Sequence, residues 1–360
     1  MHLDRIVLRG FRNLHDLDLE LPPAGAVLIG NNAQGKTNLL EAVGYPVLFR
    51  ALRGAGDADV ARFDGPGFRV DAEFHDGARR RTVEVLFTAH DRRKRIVLDG
   101  APVERLADAI GAWVAVAFLP RDVALAAGPA AERRHYLDRM LSLASPGYLR
   151  ALVRYKGAVA RRNAALRQGQ PAVAWAFDEP LAAAGVEVVR ARLAWVAEAA
   201  RRFPEEFAAL GEARPASLAY RGHAELAEPE GWAAALDRAR PRDAARGLTS
   251  VGPHRDDLTI VLDGRPIREY GSTGQVRSAA VALKLVELAT ISELRGVAPA
   301  LLLDDVFAEL DQGRQARLAE RLLSRRRGQV FVSAPREDEL PAGLGLPVWT
   351  VDGGAVRPAA

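Results

Sequence analysis

Hydrophobic and polar residues alternate from Leu3 to Leu8 and again from Leu14 to Leu21, the period of half-buried strands. Ala26-Val27-Leu28-Ile29 is an apolar run of the kind that fills a sheet interior. The period then changes, and from about Thr37 to Val47 the apolar residues recur at helical spacing. Residues 68–75, 80–88 and 95–98 return to alternation, and the turn signals Asp76-Gly77 and Asp99-Gly100 make them an antiparallel meander. Trp113 to Leu119 reads as another apolar strand. From about Ala130 to Ala245 strand signals nearly vanish. Ala/Leu/Arg stretches of helical period dominate there, with breaks expected at Pro146, Pro171, Pro204 and Pro229. Asp257 to Leu262 then returns to strand, Gln275 to Leu294 is a long helix, and Pro299 to Asp304 is a short buried strand. Arg314 to Arg326 is helical, and Val330-Phe331-Val332 is a core strand. Strands alternating with helices at both ends predict an α/β fold interrupted by a helical insert domain. The boundaries fall at 1–128, 129–246 and 247–360.

Composition narrows the class. The chain of 360 residues is 49% hydrophobic and 27% charged, the balance of a globular protein. It lacks any apolar run long enough for a transmembrane helix, and its N-terminus alternates rather than forming a secretory core. With no cysteine, disulfides, thiol catalysis and cysteine-bound zinc are excluded, and the seven histidines show no metal-ligand spacing. A cytoplasmic protein without a membrane partner is expected. The net charge of +4 decides little. Only Lys36, Lys94, Lys156 and Lys284 are lysines among the 50 basic residues, so 46 are arginines. Arginine forks suit phosphate backbones, but GC-rich coding gives the same bias.

Gly30-Asn31-Asn32-Ala33-Gln34-Gly35-Lys36-Thr37 fits G-x-x-x-x-G-K-[ST] and lies between a predicted strand and a predicted helix, the context this phosphate loop requires. The glycines let backbone N–H groups curl around phosphates, and the helix N-terminus adds positive potential. Lys36 is placed for the β- and γ-phosphates of ATP, and the Thr37 hydroxyl for Mg²⁺. Asn38 follows on the same turn. Ala300 to Asp305 is an apolar strand ending in two carboxylates. Asp304 suits Mg²⁺, and Asp305 suits the water that attacks the γ-phosphate. Lys36 and Asp305 are therefore the candidate catalytic residues.

Ser272-Thr273-Gly274-Gln275 leads into the long helix before Asp304. It reads either as an ordinary helix cap or as an anion site at a helix N-terminus. In ABC-type ATPases a Ser-x-Gly-Gln sequence in this position meets the γ-phosphate of the partner subunit's ATP, which singles out Ser272, Gly274 and Gln275. Ala308-Glu309-Leu310-Asp311 resembles the D-loop at such a dimer seam, with Asp311 its candidate residue. The order of segments resembles an ABC-type P-loop ATPase head, a mixed sheet plus antiparallel strands, split by an insert.

A closer resemblance covers nearly the whole length. Gly10-Phe11-Arg12-Asn13-Leu14, the run Asn32 to Ala42, Gly128 to Asp138 with Glu132-Arg133-Arg134, Arg161-Arg162-Asn163-Ala164-Ala165-Leu166, Gly252-Pro253-His254-Arg255-Asp256-Asp257 and Leu303 to Asp311 resemble the RecF family of bacterial recombination mediators. The resemblance implies an ATP-dependent homodimer that clamps double-stranded DNA at single/double-strand junctions. It further implies work with RecR and RecO to place RecA, and a link to replication-fork repair and the SOS response.

The chain also departs from that family. Gly44-Tyr45-Pro46-Val47 predicts an early end to the P-loop helix at the proline. Arg121 replaces an expected glutamate and alters the charge of a segment near the nucleotide. Ser333-Ala334 lacks a switch histidine, and position 305 is Asp rather than Glu. Slow, DNA-stimulated hydrolysis, a timer or clamp rather than a motor, is the expectation. Arg12 matches an arginine that related ATPase heads hold near the nucleotide, although a surface arginine reads equally well. His254, Arg255 and Asp256 read as a hydrogen-bonded turn or as a role near the nucleotide. Arg79, Arg80, Arg81 and Arg92, Arg93, Lys94, Arg95 sit on neighbouring predicted strands, either as solvated charge or as one patch for duplex phosphates. A transporter-coupled ABC ATPase would have no use for the insert and these strands. A chromosome-organising SMC protein needs long heptads, and a nuclease of related type needs a second acidic metal cluster.

Overall fold

The alternation of the N-terminal third becomes a sheet in the computed structural model, which describes residues 1–63, 65–77, 79–308, 310–324 and 328–358. The strands Leu17–Glu20, His2–Arg9, Gly67–Asp76, Arg79–Thr88, Arg93–Leu98 and Ala101–Pro102 pair in that order, antiparallel throughout. Leu3, Ile6, Leu8, Phe68, Val70, Phe74, Val83, Val85 and Phe87 are all buried in the core. Leu3 and Ile6 can both point inward because the register shifts between Leu3 and Arg5, a bulge that turns Asp4 out of the ladder. There its carboxylate meets two histidines that sequence spacing kept apart. His2 Nε2 lies 2.9 Å and His75 Nδ1 2.6 Å from its two oxygens, stapling one strand to the next.

The second sheet carries the order Ala355–Pro358, Val348–Asp352, Gly25–Ile29, Val330–Ala334, Ala300–Asp304 and Ala115–Phe118. All its pairs are parallel except the terminal hairpin. Parallel strands are covered on both faces, which is why they read as continuous apolar runs. Ile29, Asp304 and Ala334 end at the same edge, the carboxyl edge where open α/β sheets place ligands. The helix Lys36–Leu48 packs on strands Ala300–Asp304 and Val330–Ala334 and runs past Pro46, contrary to the expected early stop. Pro46 lies in its last turn, where a single lost N–H bond is outweighed by burial of every residue from Leu39 to Leu48.

These two sheets form one unit, Met1–Asp122 with Glu287–Ala360; the other unit is Val123–Val286. The insert is therefore longer than the predicted 129–246, and it claims the residues up to 286. The reason is a strand within the helical stretch: Ala216–Arg221 pairs antiparallel with Asp257–Leu262 along its whole length. Arg133 ties the same strand to the helix Ala130–Ala144 through Asp257, at 2.7 and 2.9 Å. Pro146, Pro171 and Pro229 open helices as expected. Pro204 does not break one: it lies inside Asp178–Ala209, flanked by the fully buried, stacked rings of Phe203 and Phe207.

The second unit buries arginines within a largely apolar core. Arg162, with no exposed surface, donates to Asp178, Asp243 and Thr249 Oγ1 at 2.8, 2.8 and 3.0 Å. Arg192 donates to Asp138 and the Pro253 carbonyl at 2.7 and 2.6 Å. Burial alone would raise the Asp138 carboxyl, but Arg192 and Lys156 outweigh it and hold the group below the usual carboxylate range.

Candidate functional site

Strand Gly25–Ile29 hands over to Gly30, where only a glycine fits: a Cβ there would stand 2.1 Å from the Val351 carbonyl oxygen. Ala33 and Gly35 take left-handed backbone, φ 65° and 118°, which turns successive amides toward one side as an anion nest. The first helical turn leaves its amides without intrahelical partners, and Leu39 N–H to Gly35 O, 2.9 Å, is where helix bonding begins. The Lys36 ammonium is nearly buried and donates to the carbonyls of Gly30 and Asn31 at 2.5 and 3.0 Å. Gln34 anchors the loop from outside, accepting from the amides of Gly353 and Gly354 at 2.6 and 2.9 Å. Asn38 Nδ2 donates to Asn13 Oδ1 at 2.6 Å, and Asn13 Nδ2 to the Ala33 carbonyl at 3.2 Å.

The carboxylates stand at the next strand end. Thr37 Oγ1 donates to Asp304 Oδ1 at 2.8 Å, joining residues 267 positions apart. A hydroxyl and a carboxylate oxygen are hard donors, the set that Mg²⁺ takes beside phosphates, so the residues fit that ion. Ser333 Oγ also lies 2.8 Å from Asp304 Oδ1 and accepts the Asp305 N–H at 3.0 Å. Burial and the Asp304 charge push the Asp305 carboxyl above its ordinary range, with Lys36 and Ser333 drawing it back. A cavity of about 340 Å³ opens over this group. Of the predicted residues, Asn32, Ala33, Gly35, Lys36, Thr37, Asn38 and Asp305 line it.

Arg12 is not in that lining. Its guanidinium donates to Glu41 Oε2 at 2.7 Å and to the Asp59 carbonyl at 2.9 Å. Arg53, which no local motif marks, lines the cavity instead and pairs with the same Glu41 at 2.9 Å. Burial alone would raise Glu41, but Arg53 and Arg12 outweigh it and its carboxyl titrates below its ordinary value. Arg121 donates to the carbonyls of Leu52 and Arg53, so the departure at this position pins the segment that carries Arg53.

Ser272 and Gln275 cap the helix Thr273–Arg295 reciprocally: Ser272 N–H donates to Gln275 Oε1 at 2.9 Å, and Gln275 N–H to Ser272 Oγ at 3.3 Å. Gly274 lies in its first turn, and the trio belongs to the second unit. Asp311 caps the helix Gln312–Ser324, accepting from the Arg314 amide at 2.9 Å. Glu309 lies outside the described residues. His254 and Asp256 are held within the second unit, bonded to Tyr155 and Tyr220.

The basic clusters separate. Arg79, Arg80 and Arg81 face Asp76, His75 and Phe74 at one end of their strand, while Arg93, Lys94 and Arg95 pair with Thr88, Phe87 and Leu86 at the other. From 81 to 86 is about 17 Å of extended chain, so the two runs do not form one patch. Arg79 and Arg81 pair with Asp99, Arg80 with Glu73 and Arg93 with Asp91; Arg92 occupies the turn between strands. Lys94 points inward with Phe87, its ammonium on Asp57 and the Phe49 carbonyl at 2.8 and 2.6 Å, which removes it from the DNA candidates.

Residues 5–124 match the AAA domain family. The chain is 38% identical to the DNA replication and repair protein RecF of Anaeromyxobacter sp. (strain Fw109-5), covering 99% of both chains. It is 33% identical to the RecF of Halalkalibacterium halodurans, covering 94% of both. A solved structure described as the recombination mediator protein RecF-ATP in the RecFOR pathway superposes with TM-score 0.90 at 27% identity, over 100% of this chain and 98% of that one. The Smc head domain of Pyrococcus furiosus shares the fold, with TM-score 0.58 at 17% identity over 99% and 96% of the two chains.

Proposed function

This chain belongs to the RecF family, and on that premise we propose that it is an ATP-dependent DNA-binding protein of recombinational repair. The observation that carries the reading is the convergence of Lys36, Thr37, Asp304 and Asp305 on one anion-binding loop. Thr37 and Asp304 would hold Mg²⁺, which would supply charge neutralisation at the phosphate oxygens. Lys36 exchanges the carbonyls of Gly30 and Asn31 for the β- and γ-phosphates, while the amides of residues 33–37 receive the remaining phosphate oxygens. Asp305 accepts the proton of the water that attacks the γ-phosphorus, as the bond to the β,γ-bridging oxygen breaks and ADP leaves. Its side chain, one methylene shorter than glutamate, stands farther from the γ-phosphate and makes the step slow.

In this reading ATP joins two copies, the capped helix end at Ser272, Gly274 and Gln275 of each facing the γ-phosphate held by the other, with Asp311 along the seam. The dimer clamps duplex DNA beside a single-strand gap in the cytoplasm, hydrolysis releases it, and RecR and RecO act with it to load RecA at stalled forks and in the SOS response. The test is sedimentation of the Asp305→Asn variant with labelled gapped duplex. Two protein chains per DNA with Mg-ATP and none without it is the expected result. Chains that bind Mg-ATP yet ignore DNA in both conditions refute the clamp and point the ATPase at a partner that is not DNA.

A further inference from the structure

We infer that Ser333 is a positioning residue that sets Asp304 and Asp305 relative to each other, an inference that rests on the ATPase reading above. Parallel pairing puts Ser333 directly beside Asp304, and the side chain is buried to 1% exposure. Its hydroxyl has one hydrogen to give and two lone pairs to receive. The hydrogen serves Asp304 Oδ1 at 2.8 Å, and a lone pair takes the Asp305 N–H at 3.0 Å. Asp305 Oδ1 stands 3.3 Å away, within reach of the same hydrogen.

Asp305 needs such a hold. Its backbone is left-handed, φ 49°, a conformation that costs an ordinary side chain energy and persists only where the surroundings enforce it. That twist separates the roles of two consecutive carboxylates: Asp304 turns back to Thr37, while Asp305 lines the cavity. The Ser333 hydroxyl bonds to the first carboxylate and to the backbone of the second, so one atom links the metal-side group to the water-side group. It also fixes Asp304 Oδ1 between two hydroxyls, those of Thr37 and Ser333. A strand serine of purely packing value would need none of these bonds and would tolerate any residue of its volume.

The experiment compares wild type with Ser333→Ala, Ser333→Cys and Ser333→Thr, reading affinity for a fluorescent ATP analogue in chelator and in Mg²⁺, kcat at saturating ATP, and thermal melting. Cysteine fills the serine's volume with a group that hydrogen-bonds weakly, which covers the case of an alanine variant that does not fold. Alanine and cysteine are expected to keep the affinity measured in chelator, to lose about tenfold of the gain that Mg²⁺ confers, and to lower kcat about tenfold, as supporting partners of a metal site do. Threonine, which retains the hydroxyl, restores both. Alanine or cysteine variants with wild-type Mg²⁺ gain and kcat overturn the inference, as does a threonine variant that behaves like alanine. A separate control isolates the premise: if Lys36→Met binds the analogue as tightly as wild type, the phosphate-loop reading fails, and the inference fails with it.

Discussion

His254 has both ring nitrogens engaged in its neutral form. Nε2–H donates to the Thr249 carbonyl at 3.0 Å, and Nδ1 accepts the Tyr155 hydroxyl at 2.6 Å. Burial disfavours the charged ring, and Arg255, Arg134 and Arg192 add repulsion, so it titrates below its ordinary value of 6.5. As pH falls, the unfolded chain takes up this proton first. Stability from His254 is therefore complete above the unfolded value and is lost as pH drops toward the folded one. Lowering pH from about 7.5 to about 5.5 should reduce the urea midpoint of wild type more than that of His254→Asn; equal losses in the two proteins count against the assignment. Residue by residue, chemistry that is consecutive in sequence is legible there, and chemistry that folding assembles is not. The phosphate loop is legible because its chemistry is consecutive, glycines, lysine and threonine within the eight residues from Gly30 to Thr37. Ser333 carries no signal in the sequence beyond the absence of a histidine, since its partner stands 29 residues away and meets it through strand register alone. Arg53 carries no motif, while Arg12, which matches one, is held by Glu41.

Elements followed their pattern, alternating where burial is one-sided and continuous where both faces are covered, and escaped it where packing overrode local preference. The meander, the parallel strands and the long helices stand close to their predicted places. Ala216–Arg221 hides in the sequence because Ala-Ser-Leu-Ala-Tyr-Arg offers a weak alternation inside a helical stretch, and its pairing with Asp257–Leu262 is what moves the boundary of the insert. The helix Thr273–Arg295 tests the proposed assembly. Its capping box means that Ser272 serves local structure whether or not a second chain arrives, so a variant must separate the two roles. Losing the cap costs about 1 kcal/mol, which a helix of 23 residues tolerates. Ser272→Arg is expected to bind ATP with wild-type affinity yet to remain monomeric in Mg-ATP, because a guanidinium of that bulk blocks the surface assigned to the partner's γ-phosphate. Light scattering reads the result, and an ATP-dependent dimer of normal mass refutes the contact between copies.

Across the whole molecule, a net charge of +4 with 46 acidic residues against 50 basic ones means that arginine count predicts little about nucleic acid. What counts is which guanidinium groups lack a tight acidic neighbour. Arg81 is only 19% exposed and engages Asp99 at 2.8 Å, and Thr82 N–H takes the other oxygen of that carboxylate, a closed arrangement with little left for a phosphate. Arg93 is 86% exposed and its nearest carboxylate lies at 3.6 Å, while Arg95 alternates with inward Lys94 onto the same outer face. If DNA lies along this sheet, its phosphates displace counterions chiefly at Arg93 and Arg95. Removing one cation that neutralises a phosphate takes roughly one unit off the slope of log affinity against log salt, independent of sequence. Arg93→Ala with Arg95→Ala should therefore lower that slope by about one to two units on duplexes of any sequence, and Arg81→Ala by much less. Affinity measured from low to moderate salt for the three proteins decides the matter. Slopes unchanged by the paired substitution, with Mg-ATP present, move the DNA track off this sheet, leaving the arginines of the helical unit as the next surface to substitute.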